Sequence, residues 1–253
     1  MMELIRRDTD NLLEGMLVAI NANDKLNLNM QHNIIPVAAA KNMGIIAMKV
    51  FADGAMYTKE ATWSRVPDHV VRTVGSEKLP SRPLVNYSLT TPGIHTAIIG
   101  IGQVDDTNPE NCQLEQNLNA AQIKPDGMSE SEREAVEQMA RAAKEGRTNY
   151  FQVAEGGLTP VTDAAVSQMK SDGQRKVKLT WNTAIAGDAP IQKYEVLRDG
   201  SVVGEVRHQP QTSPEPFVFE DVTGDLAGHG YSVRSVDARG KQMATEEMMI
   251  EAV

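Results

Sequence analysis

The stretch IIPVAAAKNMGIIAMKVFADG, residues 34–54, decides how the first half of the chain is read. It opens apolar and alanine-rich with helical character, breaks at Gly44, and continues as the apolar run 45–48 before a polar, glycine-bearing loop. The order is helix, tight turn, strand, loop. A strand with no polar alternation is expected to be covered on both faces, as in a parallel sheet. Residues 96–101, TAIIGI, repeat the pattern after a helix-like stretch and before another helix. A βαβα succession of this kind is the signature of an α/β layer or barrel.

Outward from that core, residues 16–20 form a third apolar strand, which opens into the polar loop 21–29. Residues 2–13 set Leu4, Ile5, Leu12 and Leu13 among charges and predict a surface helix ending near Gly15. Beyond Gly54, the irregular stretch 55–81 contains Trp63 and His69, and loops of that length are commonly functional. Residues 82–89 read as a helix that Pro92 and Gly93 end, and a further helix is expected at 111–122. Ser129 with Glu132 three residues later is a capping box, followed by Ala135, Met139, Ala142 and Ala143 at helical spacing.

After Gly146 the pattern changes. AEGGLTP, residues 154–160, reads as linker, and beyond it the hydrophobic period shifts to two. Val177, Leu179 and Trp181 alternate with Lys178 and Thr180, and Tyr194 and Val196 flank Glu195. Asp199-Gly200 is a hairpin signal leading into 201–206, and 217–222, 231–238 and 243–253 read as further strands. Roughly seven short strands at this spacing, without cysteines, indicate an all-β immunoglobulin-like sandwich.

The 253 residues therefore suffice for two domains. A hydrophobic share of 41% and a charged share of 23% are those of a globular protein, and no apolar run approaches the roughly 20 residues that span a bilayer. The opening MMELIRRDTD shows no secretory signal, and the expected compartment is the cytoplasm. A net charge of −9 with scattered basic residues gives no footprint for nucleic acid. The single cysteine, Cys112, excludes an intrachain disulfide.

Residues 1–147 resemble the C-terminal part of an aldo/keto reductase, a family of (β/α)8-barrel oxidoreductases. The match is carried in order by IIPVAAAKNMGIIAMKVFADG, VNYSLTTPGIHTAIIGIG (85–102), QLEQNL (113–118) and MSESEREAVEQMA (128–140). It implies a partial TIM-type barrel in which 16–20, 45–48 and 96–101 stand for strands six, seven and eight. Residues 148–162 are then the linker, and 163–253 resemble a fibronectin type III domain through VKLTWN, KYEVLRDG, FVFEDV and YSVRSVDARG.

The family resemblance further implies that the catalytic Asp, Tyr, Lys and His belong to strands this chain lacks, so no residue here takes those roles. Lys49 reads as a loop or cofactor contact, Tyr87 as core packing, Tyr57 as a covering residue, and His95 as a group at the stability end of its strand. His32 and His69 have no partner at metal-ligand spacing and read as loop histidines, and Cys112 as a packing residue.

The cofactor side is implied more fully. Met48, Lys49, Val50, Phe51, Ala52 and Gly54 would lie along nicotinamide and pyrophosphate, Ile101 and Gly102 near the phosphate, and Gln113, Gln116 and Asn117 at the adenosine end. Met48 stands where many members have a stacking aromatic ring, and Gln116 where Glu-Asn is usual. Residues 103–116 contain no Lys or Arg, whereas the 2′-phosphate of NADP needs a cation, so NAD is at least as well suited as NADP. Gly100 and Gly102 have an equal reading as simple turn formers.

Three parallel strands leave two open edges, which points to self-association, to a complementary barrel half, or to further strands encoded upstream of Met1. Two functions are expected from the sequence. One is an aldo/keto-type oxidoreductase fragment on the cofactor side of a small-carbonyl reductase, inactive alone. The other is a non-catalytic binding protein that uses its sandwich.

Overall fold

The computed structural model describes residues 1–26, 28–57, 78–101, 104–109, 112–143, 157–171, 174–224 and 226–252. The chain divides into two compact units, Asn11–Gly156 and, together, Met1–Asp10 with Gly157–Val253. The first helix, α1 (Met2–Arg7), thus belongs with the C-terminal part of the chain, although nothing in its sequence separates it from the residues that follow.

The unit Asn11–Gly156 contains β1 (Gly15–Ala19), α2 (Met30–Ala40), β2 (Gly44–Met48), α3 (Ser81–Leu89), β3 (Thr96–Ala97), α4 (Gln113–Ala120) and α5 (Glu130–Ala142). The strands lie in the order β1-β2-β3 and are all parallel, with Leu17 opposite Ile46, Val18 opposite Ala47, and Ile46 opposite Thr96. The βαβα reading of 34–101 therefore describes the architecture. The sheet is open: among the described residues three strands pair and no barrel closes.

Coverage is where the expectation fails. Helix α2 packs on β1 and β2, and α3 packs on β3. They bury the face that carries Val18, Ile20, Ile45 and Ala47. On the opposite face Leu17 is 44% exposed and Ile98 56% exposed, while Ala19, Ile46 and Met48 are half-buried. An unbroken apolar strand signals that both faces are meant to be covered, but among the described residues helices pack on only one. β3 is also shorter than the expected 96–101, because regular pairing ends at Ala97 and only the Ile98 N–H continues to Ala47.

Helix α2 begins at Met30, four residues before the apolar run suggests. The reason is long-range: the Asp24 carboxylate accepts the backbone N–H groups of Met30 and Gln31 at 3.0 and 3.1 Å, which satisfies donors at the open helix end. Helix α5 starts on the predicted capping box, Ser129 accepting the Glu132 N–H and Glu132 accepting that of Ser129. Its Arg133 lies 4.0 Å from the Tyr87 ring centroid and donates to the Tyr87 carbonyl and the Thr90 and Thr91 hydroxyls, tying α5 to the end of α3.

In the other unit two antiparallel sheets form a sandwich. One is β4 (Thr162–Ser171), β5 (Gln174–Asn182) and β8 (Phe217–Thr223) in the order β4-β5-β8. The second has the order β10-β9-β6-β7, from β6 (Ile191–Arg198), β7 (Ser201–Arg207), β9 (His229–Asp237) and β10 (Gln242–Ala244), with β11 (Met248–Ile250) also on β9. The expected single strand at 243–253 is thus two short segments on one partner. β4 gives little sequence signal because it is an edge strand with mostly exposed side chains.

The core follows the predicted alternation. Val177, Leu179 and Trp181 of β5 are fully buried against Tyr194 and Val196 of β6 and Tyr231 and Val233 of β9. Leu158 and Val161 join this core ahead of β4. Asp199 and Gly200 turn the β6–β7 hairpin with φ of 49° and 77°, the paired positive values of a tight two-residue turn.

Candidate functional site

In open parallel sheets, ligands bind outside the carboxyl ends of the strands, because loops and helix starts gather there. Here that edge is built from the segments that follow β1, β2 and β3. After β1, Asn21, Asn23 and Asp24 are all buried. Asn21 donates to the Lys49 carbonyl at 3.2 Å and accepts the Asn23 N–H at 3.0 Å, which links the loops after β1 and β2. Burial pushes the Asp24 carboxyl above the usual range, against the pull of its bonds from Met30 and Gln31.

A polar chain runs inward from there. Gln31 donates to the Tyr87 hydroxyl at 3.0 Å, Tyr87 donates to Glu137 at 2.8 Å, and Lys25 pairs with Glu137 at 2.8 Å. Burial raises the Tyr87 phenol, so it stays protonated and donating. The network joins α2, α3 and α5 around a residue that the sequence marks as core. Sequence reasoning did not single out Asn21, Asn23 and Asp24; the polar run NANDKLNLN that follows an apolar strand was the available signal.

After β2, Met48 is half-buried on the uncovered face and Lys49 is exposed with φ 59°. Ala52 has φ 50°, and its N–H donates to the Lys49 carbonyl at 2.7 Å. Two non-glycine residues in the left-handed region within four positions make this a constrained turn. Val50, Phe51 and Ala52 are buried in the core with Leu84 and Ala120, and Gly54 closes the turn at φ 83°. Tyr57 packs beside Phe51 at 5.9 Å.

After β3, Ile101 is exposed, and Gly102 lies outside the described residues. Gln113 is fully buried and donates to the Gly100 carbonyl at 2.7 Å, while Gln116 donates to that of Pro109 at 3.3 Å. Both amides brace the loop that leads into α4. Asn117 differs: it is 7% exposed, and neither its Nδ2 nor its Oδ1 has a hydrogen-bond partner among the described residues. The helix inverts the usual pattern by burying Gln113 and Asn117 while Leu118 is 58% exposed. In the preceding loop Asp105 accepts from the Thr107 and Asn108 N–H groups at 3.0 and 3.1 Å.

The remaining candidates sit elsewhere. His95, at the amino end of β3, accepts the Ile45 N–H at 3.0 Å, and His32 lies 3.5 Å from the Asn29 amide. Cys112 is buried ahead of α4, and His69 is outside the described residues. Among the described residues no cluster of three His, Cys, Asp or Glu side chains is placed to hold a metal. No described helix is long and apolar enough to cross a membrane.

The sandwich unit has a groove of about 700 Å³ between α1 and the sheets, lined among others by Glu3, Arg6, Arg7, Asp163, Asn182 and Thr183. Arg6 donates to Gln211 at 3.2 Å, and Gln211 accepts the Thr183 N–H at 3.0 Å. Thr183 meets the Tyr194 hydroxyl at 3.0 Å, which in turn lies 2.9 Å from His208 Nδ1. Burial pushes the Tyr194 phenol up to about 12 and the His208 imidazole down to about 4.

No protein-family model matches the chain, and neither does any curated protein. Among solved structures, the chain is similar to fibronectin(III)-like modules of Clostridium thermocellum, with 22% identity over 34% of this chain and 90% of that one, at a TM-score of 0.23. It is also similar to a pectate lyase of Pectobacterium carotovorum (19% identity, 36% of this chain, TM-score 0.25) and to a spore cortex lytic enzyme of Clostridium perfringens (17%, 37%, 0.26). It spans 27% and 28% of those two chains. By its own strand order the protein is a parallel α/β region followed by an antiparallel β-sandwich.

Proposed function

We propose that the α/β unit is the cofactor side of an aldo/keto-type carbonyl reductase, part of a (β/α)8 barrel, and that it binds a nicotinamide dinucleotide at the carboxyl edge of β1, β2 and β3. The observation that carries this reading is Asn117. A buried carboxamide with both its donor and its acceptor unused costs roughly 1–3 kcal/mol, and because both atoms are closed to solvent, a ligand with a hydrogen-bonding edge would recover that cost only by opening the surroundings of α4 as it binds. Asn117 is also the residue that the motif QLEQNL assigns to the adenosine end.

The other assigned residues fit in part. Met48 is half-buried on the uncovered face, where an apolar ring would rest, and Lys49 is exposed at the strand end, where a cation would meet phosphate. Val50, Phe51 and Ala52 face the core, so they would shape the turn without touching a ligand, and Gln113 is committed to Gly100. NAD is the better candidate than NADP, since residues 103–116 offer no basic side chain to a 2′-phosphate. When bound, the nicotinamide supplies the hydride for carbonyl reduction. The resemblance gives this chain none of the family's proton-transfer groups, so we expect binding without turnover unless a complementary barrel half completes the site.

Titration of the purified chain with NADH tests this. Saturable binding that falls at least tenfold in Asn117→Ala, with no carbonyl reduction, supports it, and absence of binding refutes it. The groove beside α1 favours a second reading, a non-catalytic binding protein that uses its sandwich. Its charges of both signs and its lack of aromatic lining suit a polar ligand. Failure of nucleotide binding would turn attention there.

A further inference from the structure

We propose that the sandwich carries a docking site for a short helix that presents an aliphatic residue beside an arginine. This chain fills the site with its own α1, and a segment of the same chemistry from another protein can take its place. The proposal goes beyond the groove beside α1, because it puts the partner where α1 itself sits.

Helix α1 has six residues, far below the roughly 12–15 that an isolated helix needs in water, so docking is what holds it folded. Two side chains make that contact: Ile5 is 2% and Arg6 8% exposed, while Leu4 between them and the start is 63% exposed. No local turn brings them there, since Arg6 lies 205 residues from the Gln211 that receives it. The contact is therefore recognition of one surface by another.

The receiving side is arranged for a cationic donor. Gln211 is 6% exposed, and its Nε2 donates to Asn182 Oδ1 at 2.7 Å and to the Glu215 carbonyl at 2.8 Å. A flipped carboxamide would lose both bonds and would set its N–H groups against the Thr183 N–H, so the oxygen stays aimed at donors. That oxygen accepts the Thr183 N–H at 3.0 Å and Arg6 Nη1 at 3.2 Å. The planar fork of arginine lets Nη2 meet Glu3 of its own helix at 3.3 Å at the same time, which the point charge of lysine would not do. As an occupant α1 is incomplete: the buried Arg6 Nε has no partner among the described residues. An unmet buried donor weakens the hold of α1 and leaves it displaceable.

The test uses a dye-labelled peptide of residues 1–10, MMELIRRDTD, titrated into the full chain and followed by fluorescence anisotropy. A chain carrying Ile5→Ala and Arg6→Ala, which empties the site, should bind the peptide saturably. Wild type should bind it more weakly, because its own α1 must leave first. A peptide carrying Arg6→Ala should bind the emptied chain roughly tenfold more weakly or not at all. Gln211→Leu in the emptied chain should do the same; if thermal unfolding shows that this variant has lost its fold, the altered peptide decides alone. No saturable binding to the emptied chain, equal binding to wild type, or equal binding of the altered peptide would each overturn the proposal. Ile5, Arg6 and Gln211 belong to one unit and the proposed nucleotide edge to the other, so the NADH titration judges the nucleotide reading separately.

Discussion

At the residue scale, Asn117 and Asp24 are buried polar groups and His208 a half-buried one, and they differ in what pairs them. Asn117 has no partner among the described residues, so Asn117→Leu should leave the melting temperature unchanged or higher while removing NADH binding. A purely structural asparagine would lose stability instead. Asp24 is paired by three donors from the start of α2, and Asp24→Ala should cost about 1–2 kcal/mol in urea unfolding. His208 is held at about 4 by burial, against an ordinary value of 6.5. Between those values the unfolded chain binds a proton that the folded form refuses. The stabilisation is therefore complete above about 6.5 and lost as pH falls toward 4, by roughly 2–3 kcal/mol. Unfolding midpoints at pH 7 and pH 4.5 should show this fall, and His208→Gln, which keeps an acceptor for Tyr194, should reduce it.

At the element scale, packing sets tolerance. Gly204 of β7 sits where an added Cβ would run into the Phe219 ring, so Gly204→Ala should destabilise the sandwich by about 1–3 kcal/mol. An unchanged thermal midpoint would mean that the ring moves aside freely. The elements legible in the sequence were those with local causes. β5 showed itself by strict alternation, the β6–β7 turn by Asp199-Gly200, and α5 by Ser129 and Glu132. Those not legible have distant causes. The start of α2 is set by Asp24, β4 is an exposed edge, and the early end of β3 depends on how far Ala47 can pair. The inverted face of α4 also defeats periodicity, since apolar spacing would have turned Leu114 and Leu118 inward.

At the scale of the whole molecule, the parallel sheet buries one face and leaves the other apolar and half open, while the sandwich closes its own core. Of the residues the sequence marked, Met48 is half-buried, Lys49 exposed and Asn117 buried, while Val50 and Phe51 pack in the core and Gln113 braces the loop at Gly100. Direction within a turn depends on backbone angles such as the positive φ of Lys49 and Ala52, which residue type alone does not disclose. The most direct measurement is titration of the full chain and of Asn117→Ala with NADH, followed by nucleotide fluorescence. The account predicts saturable binding to the first and at least tenfold weaker binding to the second. Equal binding to both, or none to either, would contradict it.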